Sequence, residues 1–165
     1  MNRQFIFRDY WWIAPLGAAL GIVPVAIWAP GQKASLIGSI IAGALAFCCF
    51  AQQQKLAEMS LFKELFTEFN RRYDNLDERL RQIAISGKLS GEGDDKAIIG
   101  YFNVCGEEYL FFSEGYIHRE VWRAWCAGML WYFEREPFRG MWAIEKATNS
   151  YYGLSLDAIR RGAAC

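Results

Sequence analysis

The chain has 165 residues, no net formal charge at pH 7 and an aromatic content of 16%, including seven tryptophans. A neutral chain without a basic tail gives no evidence for nucleic-acid binding. Its five cysteines form neither a C-x-x-C pair nor a zinc-ligand spacing, so we predict no metal site and no cofactor.

Two apolar runs free of charged residues and histidine dominate the N-terminal part of the chain. They cover residues 11–29 and 35–51, and a short turn with a proline and a glycine separates them. A membrane helix needs about 20 apolar residues, with about 17 as the lower limit. Trp11 and Trp28 lie at the ends of the first run, as expected for an interfacial aromatic belt. We therefore predict a transmembrane helical hairpin over residues 1–52.

Two other interpretations of these runs stay open. A soluble protein could bury them as a helical hairpin, although protein cores so free of charge are rare. A cleaved signal peptide could account for the first run, but the small-residue cleavage pattern around Trp28 and Ala29 is poor. Cleavage there would still leave the second run as an anchor.

Basic residues set the expected orientation in the membrane. Arg3 and Arg8 precede the first run, and the turn between the runs carries only Lys33. The segment after the second run carries four basic residues: Lys55, Lys63, Arg71 and Arg72. Because cytoplasmic flanks are enriched in lysine and arginine, we expect both termini on the cytoplasmic side of a bacterial inner (cell) membrane.

Small residues recur at four-residue spacing in both runs. The first run contains Gly17 and Gly21, and the second contains Ser35, Ser39 and Gly43. Such faces allow helix backbones to approach closely in a membrane. We interpret them as transmembrane packing surfaces, either within one hairpin or between the subunits of a homo-oligomer.

Residues 53–86 predict an amphipathic connecting helix. No glycine or proline occurs in this segment, and its apolar residues recur at alternating steps of three and four. That spacing is a heptad seam. The seam could join subunits as a coiled coil, or it could pack against the C-terminal helices of the same chain. Its members are Met59, Phe62, Phe66, Phe69, Tyr73, Leu76, Leu80 and Ile83.

The remainder of the chain predicts a small helical domain. Residues 87–96 form a linker rich in glycine, serine and charge, and residues 97–154 carry apolar residues at helical spacing. Gly115 and Pro137 separate the helices, and residues 155–165 are expected to form a frayed tail. The predicted fold class is all-α: a transmembrane helical hairpin, a long connecting helix with a heptad seam, and a small cytoplasmic helical bundle.

Asn103 and Glu107 are candidates for a buried polar clamp, because they lie one helical turn apart beside apolar residues. A buried carboxylate needs a partner, which Arg119 or Arg123 on the next predicted helix could supply. In this interpretation the clamp fixes how the helices pack. A role in ligand binding or catalysis is the alternative.

Four arginines are candidates for binding an anionic ligand. Arg119 with Arg123, and Arg135 with Arg139, form two pairs at a spacing of four residues. In a symmetric oligomer these pairs could form a basic ring that binds an anion such as a cyclic oligonucleotide. Glutamates beside them favour ordinary surface ion pairs as the alternative.

Three segments of the C-terminal part resemble a family. Residues 99–110 (IGYFNVCGEEYL), 115–117 (GYI) and 120–122 (EVW) resemble helical domains of uncharacterised small bacterial membrane proteins with two N-terminal transmembrane helices. The layout is also similar to that of small membrane effectors in prokaryotic antiviral defence, including those associated with CRISPR loci and retrons. These resemblances imply a membrane-bound, oligomeric protein with an all-helical cytoplasmic domain.

We therefore expect an oligomeric membrane effector. Its cytoplasmic domain would sense an anionic ligand or a protein partner, and its hairpins would form a pore or perturb the lipid bilayer. The alternative is a membrane-tethered scaffold or binding module without a pore, because the spans carry no charged residue to line a water path. An enzyme is less expected and no catalytic residue is predicted, since no P-loop, Rossmann glycine pattern, nucleophile elbow or zinc-helix signature occurs.

Overall fold

The computed structural model describes residues 33–164. Within that range every regular element is a helix and no strand occurs, which confirms the all-α class for this part of the chain. The first apolar run, with Gly17 and Gly21, lies outside the described residues. The transmembrane hairpin therefore stays a prediction.

The described residues form α-helices joined by short turns. The boundaries of the helices follow the sequence closely, since glycines or prolines lie at most of the breaks. The helices are α1 (Lys33–Ser86), α2 (Asp94–Ser113), α3 (Arg119–Phe133), α4 (Phe138–Glu145) and α5 (Leu156–Ala164), with a 3-10 turn at Lys146–Thr148.

The first described helix, α1, has 54 residues. It ends where Gly87 adopts a φ of 66°, a left-handed conformation that favours glycine. The backbone N–H of Gly87 donates a hydrogen bond of 2.9 Å to the carbonyl of Ile83, which satisfies one of the last carbonyls of the helix.

The chain divides into two compact units, Met1–Ser60 and Leu61–Cys165, and the boundary falls inside α1. In the first unit, α1 contains the apolar stretch 35–51, and it is the one described helix long and apolar enough to cross a membrane. Large side chains of this stretch are exposed, with Leu45 at 61% and Phe50 at 59%.

The second unit is built around a cluster of aromatic rings. The ring centres of Phe102, Phe133 and Trp142 lie 5.0 to 5.1 Å apart in all three pairs, mostly in edge-on arrangements. All three side chains are buried. Because aromatic pairs in this geometry add to the free energy of burial, these rings fix how α2, α3 and α4 pack together.

The part of α1 in the second unit packs into the same core. Of the predicted seam residues, Phe69, Leu80 and Ile83 are buried, and others pack against the core. Phe66 is partly exposed, yet its ring stacks on Trp125 of α3 with 6.0 Å between ring centres. Contacts within the chain therefore account for this stripe of α1, and a coiled coil between subunits stays a prediction.

The loop between α1 and α2 is tied down by Asp94. The Asp94 carboxylate accepts hydrogen bonds from the backbone N–H groups of Ser90 and Gly91, both at 2.8 Å. It also forms an ion pair of 2.8 Å with Arg79 of α1. The hydrogen bond from Gly91, followed by Arg79 and Ser90, lowers the pKa of Asp94. The predicted linker is therefore held against α1.

The C-terminal residues differ from the predicted frayed tail, because residues 156–164 form the helix α5. Ile159 is fully buried, and the backbone N–H of Ala158 donates to the hydroxyl of Ser155 in an N-terminal cap. At Gly162, an added Cβ atom would lie 2.5 Å from the sulfur of Cys126 and 2.6 Å from Nε1 of Trp122. Only glycine permits this approach of α5 to α3.

Candidate functional site

A groove of about 400 Å³ opens on the second unit between the C-terminal part of α1 and α3. Its volume falls within the range of about 300 to 1,000 Å³ that is usual for small-molecule sites. Two tyrosines, an arginine, a tryptophan and an apolar side chain meet there beside a glycine. The lining residues are Tyr73, Arg81, Ile85, Gly128, Trp131 and Tyr132.

A network of three side chains forms the polar end of the groove. The hydroxyl of Tyr73 donates to Oδ1 of Asp77 at 2.8 Å, and the hydroxyl of Tyr132 donates to the same oxygen at 3.2 Å. The two hydroxyls are themselves 3.2 Å apart. One carboxylate oxygen of Asp77 is thus held by two phenols that come from different helices.

The phenols of this network stay protonated at neutral pH. Burial is the largest cause that raises the pKa of Tyr73, and its hydrogen bonds to Tyr132 and Asp77 raise it further. Burial likewise raises the pKa of Tyr132. Neutral phenols act as donors, so this network is suited to fixing Asp77 in place and to binding rather than to removing a proton from a substrate.

One arginine lines the groove, and a second lies against a ring that lines it. Nη2 of Arg81 lies 3.5 Å from Oδ2 of Asp77, and its side chain is 62% exposed. The guanidinium carbon of Arg135 lies 4.0 Å from the centre of the Trp131 ring, in a cation–π contact. Arg135 also donates a hydrogen bond to the backbone carbonyl of Trp131. Both guanidinium groups keep donors that no described residue uses.

The apolar part of the groove is open. Ile85 is 75% exposed and Trp131 is 40% exposed, although both are large hydrophobic side chains. At Gly128 an added Cβ atom would meet no heavy atom within 4 Å. This combination offers uncovered apolar surface next to positive charge.

The structure does not gather the four predicted arginines into one site within a single chain. Arg123 forms an ion pair with Glu120 on the same helix, and Arg139 forms one with Glu136 in the turn before α4. Arg119 is exposed at the start of α3. Arg135 contacts Trp131, which lines the groove, but is not itself a lining residue. The basic ring therefore needs a symmetric oligomer and stays a prediction.

The prediction of a buried clamp is wrong for Asn103, which is exposed. Glu107 is about one-third exposed, and both of its oxygens bond to the guanidinium of Arg72 on α1, not to an arginine of α3. The reason is helical geometry. Asn103 and Glu107 lie about 100° to 140° around α2 from the buried Phe102, so they flank the core instead of entering it.

Sequence reasoning missed the carboxylate that is buried on α2. Glu108 is 7% exposed, and burial raises its pKa to about 8, although Arg72 partly opposes this. It lies three residues after Cys105 and seven after Tyr101, both of which are buried. That spacing placed Glu108 on the buried stripe of the helix and was the signal that could have identified it.

The small-residue face of α1 is uncovered. Ser35, Ser39 and Gly43 are all exposed, and an added Cβ atom at Gly43 would meet nothing within 4 Å. The hydroxyl of Ser39 donates to the backbone carbonyl of Ser35 at 3.0 Å, so this polar group is satisfied within the helix. A second helix could therefore pack closely against this face.

No protein family, curated protein or solved structure matches this chain. Across residues 33–164, no group of three or more histidine, cysteine or acidic side chains is placed to hold a metal ion. The exposed apolar stretch of α1 and the groove of the second unit are thus the two features from which a function is inferred.

Proposed function

We propose that this protein is a membrane effector anchored by α1, with a helical second unit that senses a ligand or partner. One observation carries the proposal. The apolar stretch 35–51 presents large side chains such as Leu45 and Phe50 outward, where water would solvate them poorly. A lipid bilayer is the environment in which those side chains are stable.

The dimensions of this stretch support a membrane span. Its 17 residues rise about 25 Å as an α-helix. The hydrocarbon core of a bilayer is about 30 Å thick, and local thinning absorbs a shortfall of this size. The stretch contains no charged residue, and the hydroxyl of Ser39 is bonded within the helix, so neither a charge nor an unbonded Ser39 hydroxyl has to enter lipid there.

The orientation that we propose follows from the distribution of charge. Basic residues such as Lys55 and Lys63 follow the apolar stretch, which favours the cytoplasmic side for the second unit. The N-terminal apolar run would complete a hairpin, and both termini would then lie in the cytoplasm of a bacterial cell.

The effector step would use the small-residue face. Because Ser35, Ser39 and Gly43 are uncovered, the apolar stretches of several chains could pack together through them. A change in the second unit on binding a ligand or partner would favour this assembly, which forms a pore or perturbs the bilayer. From the similarity in layout to small antiviral membrane effectors, we propose that this event acts in antiviral defence.

A membrane-tethered scaffold is the second candidate, and a different observation favours it. The apolar stretch carries no charged side chain that could line a water-filled path. In this alternative the second unit recruits a partner to the membrane, and the membrane stays sealed.

Membrane anchoring is tested by extraction of isolated membranes at alkaline pH. We expect the wild type to remain in the pellet. The double variant Ile41→Arg/Leu45→Arg places two charges in the apolar stretch, each costing about 3 kcal/mol at the centre of a span, and should reduce the pelleted fraction strongly. The matched control is Ile144→Arg, since Ile144 is 72% exposed on the second unit. A wild type that is released like a soluble protein would overturn the proposal.

Particle mass and membrane potential separate the effector from the scaffold. Gly43→Leu fills the small-residue face. If the protein is an effector, this variant should be a monomer in detergent where the wild type is a homo-oligomer, and it should no longer depolarise the cells that express it. Ile41→Phe, which enlarges a side chain on another face of the helix, is the control. A wild-type monomer that leaves the potential unchanged under every growth condition would favour the scaffold.

A further inference from the structure

We infer that the groove between α1 and α3 binds a small anion that carries an apolar aromatic ring, such as an aryl phosphate or an aryl carboxylate. The anionic group would bond to Arg81 and Arg135. The ring would cover Ile85 and the exposed edge of Trp131. This inference rests on the proposed function, because it assigns the ligand class that the second unit senses.

The charges of the groove favour an anion. Arg81 lines the groove and Arg135 lies against the Trp131 ring, so two positive charges accompany these residues, and the carboxylate of Asp77 lies beside Arg81. The contact between Arg81 and Asp77 is 3.5 Å, longer than the 2.7 to 2.9 Å of a strong charge-assisted hydrogen bond. Arg81 can therefore turn its remaining donors to a ligand.

A cationic ligand fits poorly, because the groups that would attract it are engaged. Oδ1 of Asp77 already accepts hydrogen bonds from Tyr73 and Tyr132. The guanidinium of Arg135 lies against the Trp131 ring, which is the surface that a second cation would seek. A cation in the groove would also be repelled by both arginines.

The apolar surface favours a ring rather than a bare anion. Ile85 and Trp131 expose 75% and 40% of their surfaces, and Gly128 leaves open space beside them. A volume of about 400 Å³ accommodates a fused aromatic ring together with its charged group. Inorganic phosphate alone would leave this surface in contact with water, and an uncharged ring would leave the guanidinium donors unused.

The test measures the binding of 1-naphthyl phosphate to the full chain in lipid nanodiscs by calorimetry, with empty nanodiscs subtracted. We expect saturable binding, with both inorganic phosphate and 1-naphthol at least about tenfold weaker. Arg81→Gln and Arg135→Gln should each weaken binding about tenfold. Gly128→Leu should abolish it by filling the groove.

Matched controls keep the result specific to the groove. Arg123→Gln and Arg139→Gln remove arginines that are paired locally on the surface, so they should bind the probe like the wild type. Urea midpoints of Arg81→Gln, Arg135→Gln and Gly128→Leu, compared with the wild type, show whether these variants fold. Absence of saturable binding by the wild type would overturn the inference. Binding of the probe by Arg81→Gln and Arg135→Gln with the affinity of the wild type would also overturn the inference.

Failure of this inference is distinguishable from failure of the proposed function. If the probe does not bind while the wild type resists alkaline extraction and depolarises cells, only the ligand class is wrong. If the probe binds as expected while the wild type leaves membranes on extraction, the ligand inference is supported and the membrane-effector proposal is wrong.

Discussion

The two parts of α1 place their apolar side chains in opposite environments. Between residues 35 and 51 the helix has no charged residue, and Leu45 and Phe50 are exposed. Between residues 61 and 86 most apolar residues form one stripe, with Phe69 and Leu80 buried in the core of the second unit and Ile85 exposed outside it. A helix that is apolar on all sides needs an apolar environment on every side, whereas a helix with one apolar stripe needs only a packing partner along that stripe.

The largest effect is expected when the same truncation, phenylalanine to alanine, is made in each part of α1. Phe69→Ala removes a ring that is 2% exposed and should lower the free energy of unfolding of the second unit by about 4 kcal/mol. Phe50→Ala removes a ring that is 59% exposed and should leave that free energy unchanged. Pulse proteolysis in urea, on protein in detergent, measures both. Equal losses would mean that both parts of α1 serve one core.

A second test asks how tightly the second unit is packed. Gly162→Ala places a methyl group 2.5 Å from the sulfur of Cys126, so overpacking should cost about 3 kcal/mol. Gly128→Ala, on α3 itself, meets no neighbour and should raise stability by up to about 1 kcal/mol through helix propensity. Urea midpoints in the same proteolysis assay give both values. If Gly162→Ala were neutral, α5 would not pack against α3 as described.

A third test uses pH. The pKa of Glu108 rises from 4.5 to about 8, so the folded state binds its proton more tightly than the unfolded state. Stability should therefore be greatest below about pH 4.5 for this group and fall as pH rises toward about 8. Glu108→Gln removes the titration and should raise the free energy of unfolding by about 2 to 5 kcal/mol at about pH 9, with little effect at about pH 4.

The neighbouring carboxylate provides the control for that test. Glu107→Gln breaks the ion pair with Arg72, so it should lower stability modestly instead of raising it. Thermal melting followed by far-ultraviolet circular dichroism across the pH range compares the two variants. A Glu108→Gln effect that does not grow with pH would show that the carboxyl group is not buried as described.

The smallest expected effect concerns the loop between α1 and α2. The pKa of Asp94 is lowered, so its contribution to stability should be present above the ordinary pKa and be lost as pH falls through the lowered value. Asp94→Asn should lower stability slightly at neutral pH and not at all once the wild-type carboxylate is protonated. Asp95→Asn is the matched control, since Asp95 is exposed. Faster hydrogen exchange at Ser90 and Gly91 in Asp94→Asn alone would confirm the role.

The elements that the sequence predicted correctly have strong local signals. The absence of glycine and proline from 53 to 86 predicted a helix there, and Gly87 marks its end. The three-four spacing correctly placed Phe69, Leu80 and Ile83 on the face of α1 that enters the core, because the helical period determines which residues share a face, whereas Met59 of the same series is 61% exposed. The all-α class follows from the same signal.

The features that the sequence did not predict depend on packing between distant segments. Helix α5 has few large apolar residues, and Gly162 allows its close contact with α3 only once both helices are in place. The Glu107 partner, Arg72, is 35 residues away and on another helix. The groove likewise forms only where Tyr73 and Tyr132, 59 residues apart, meet. No local spacing carries that information.

The ring cluster of Phe102, Phe133 and Trp142 has a practical consequence. An indole that is 2% exposed and surrounded by aromatic rings emits light at shorter wavelengths than one in contact with water. Collapse of the cluster would shift that emission to the red without any added label. The intrinsic tryptophan fluorescence of the protein therefore reports whether the second unit is folded.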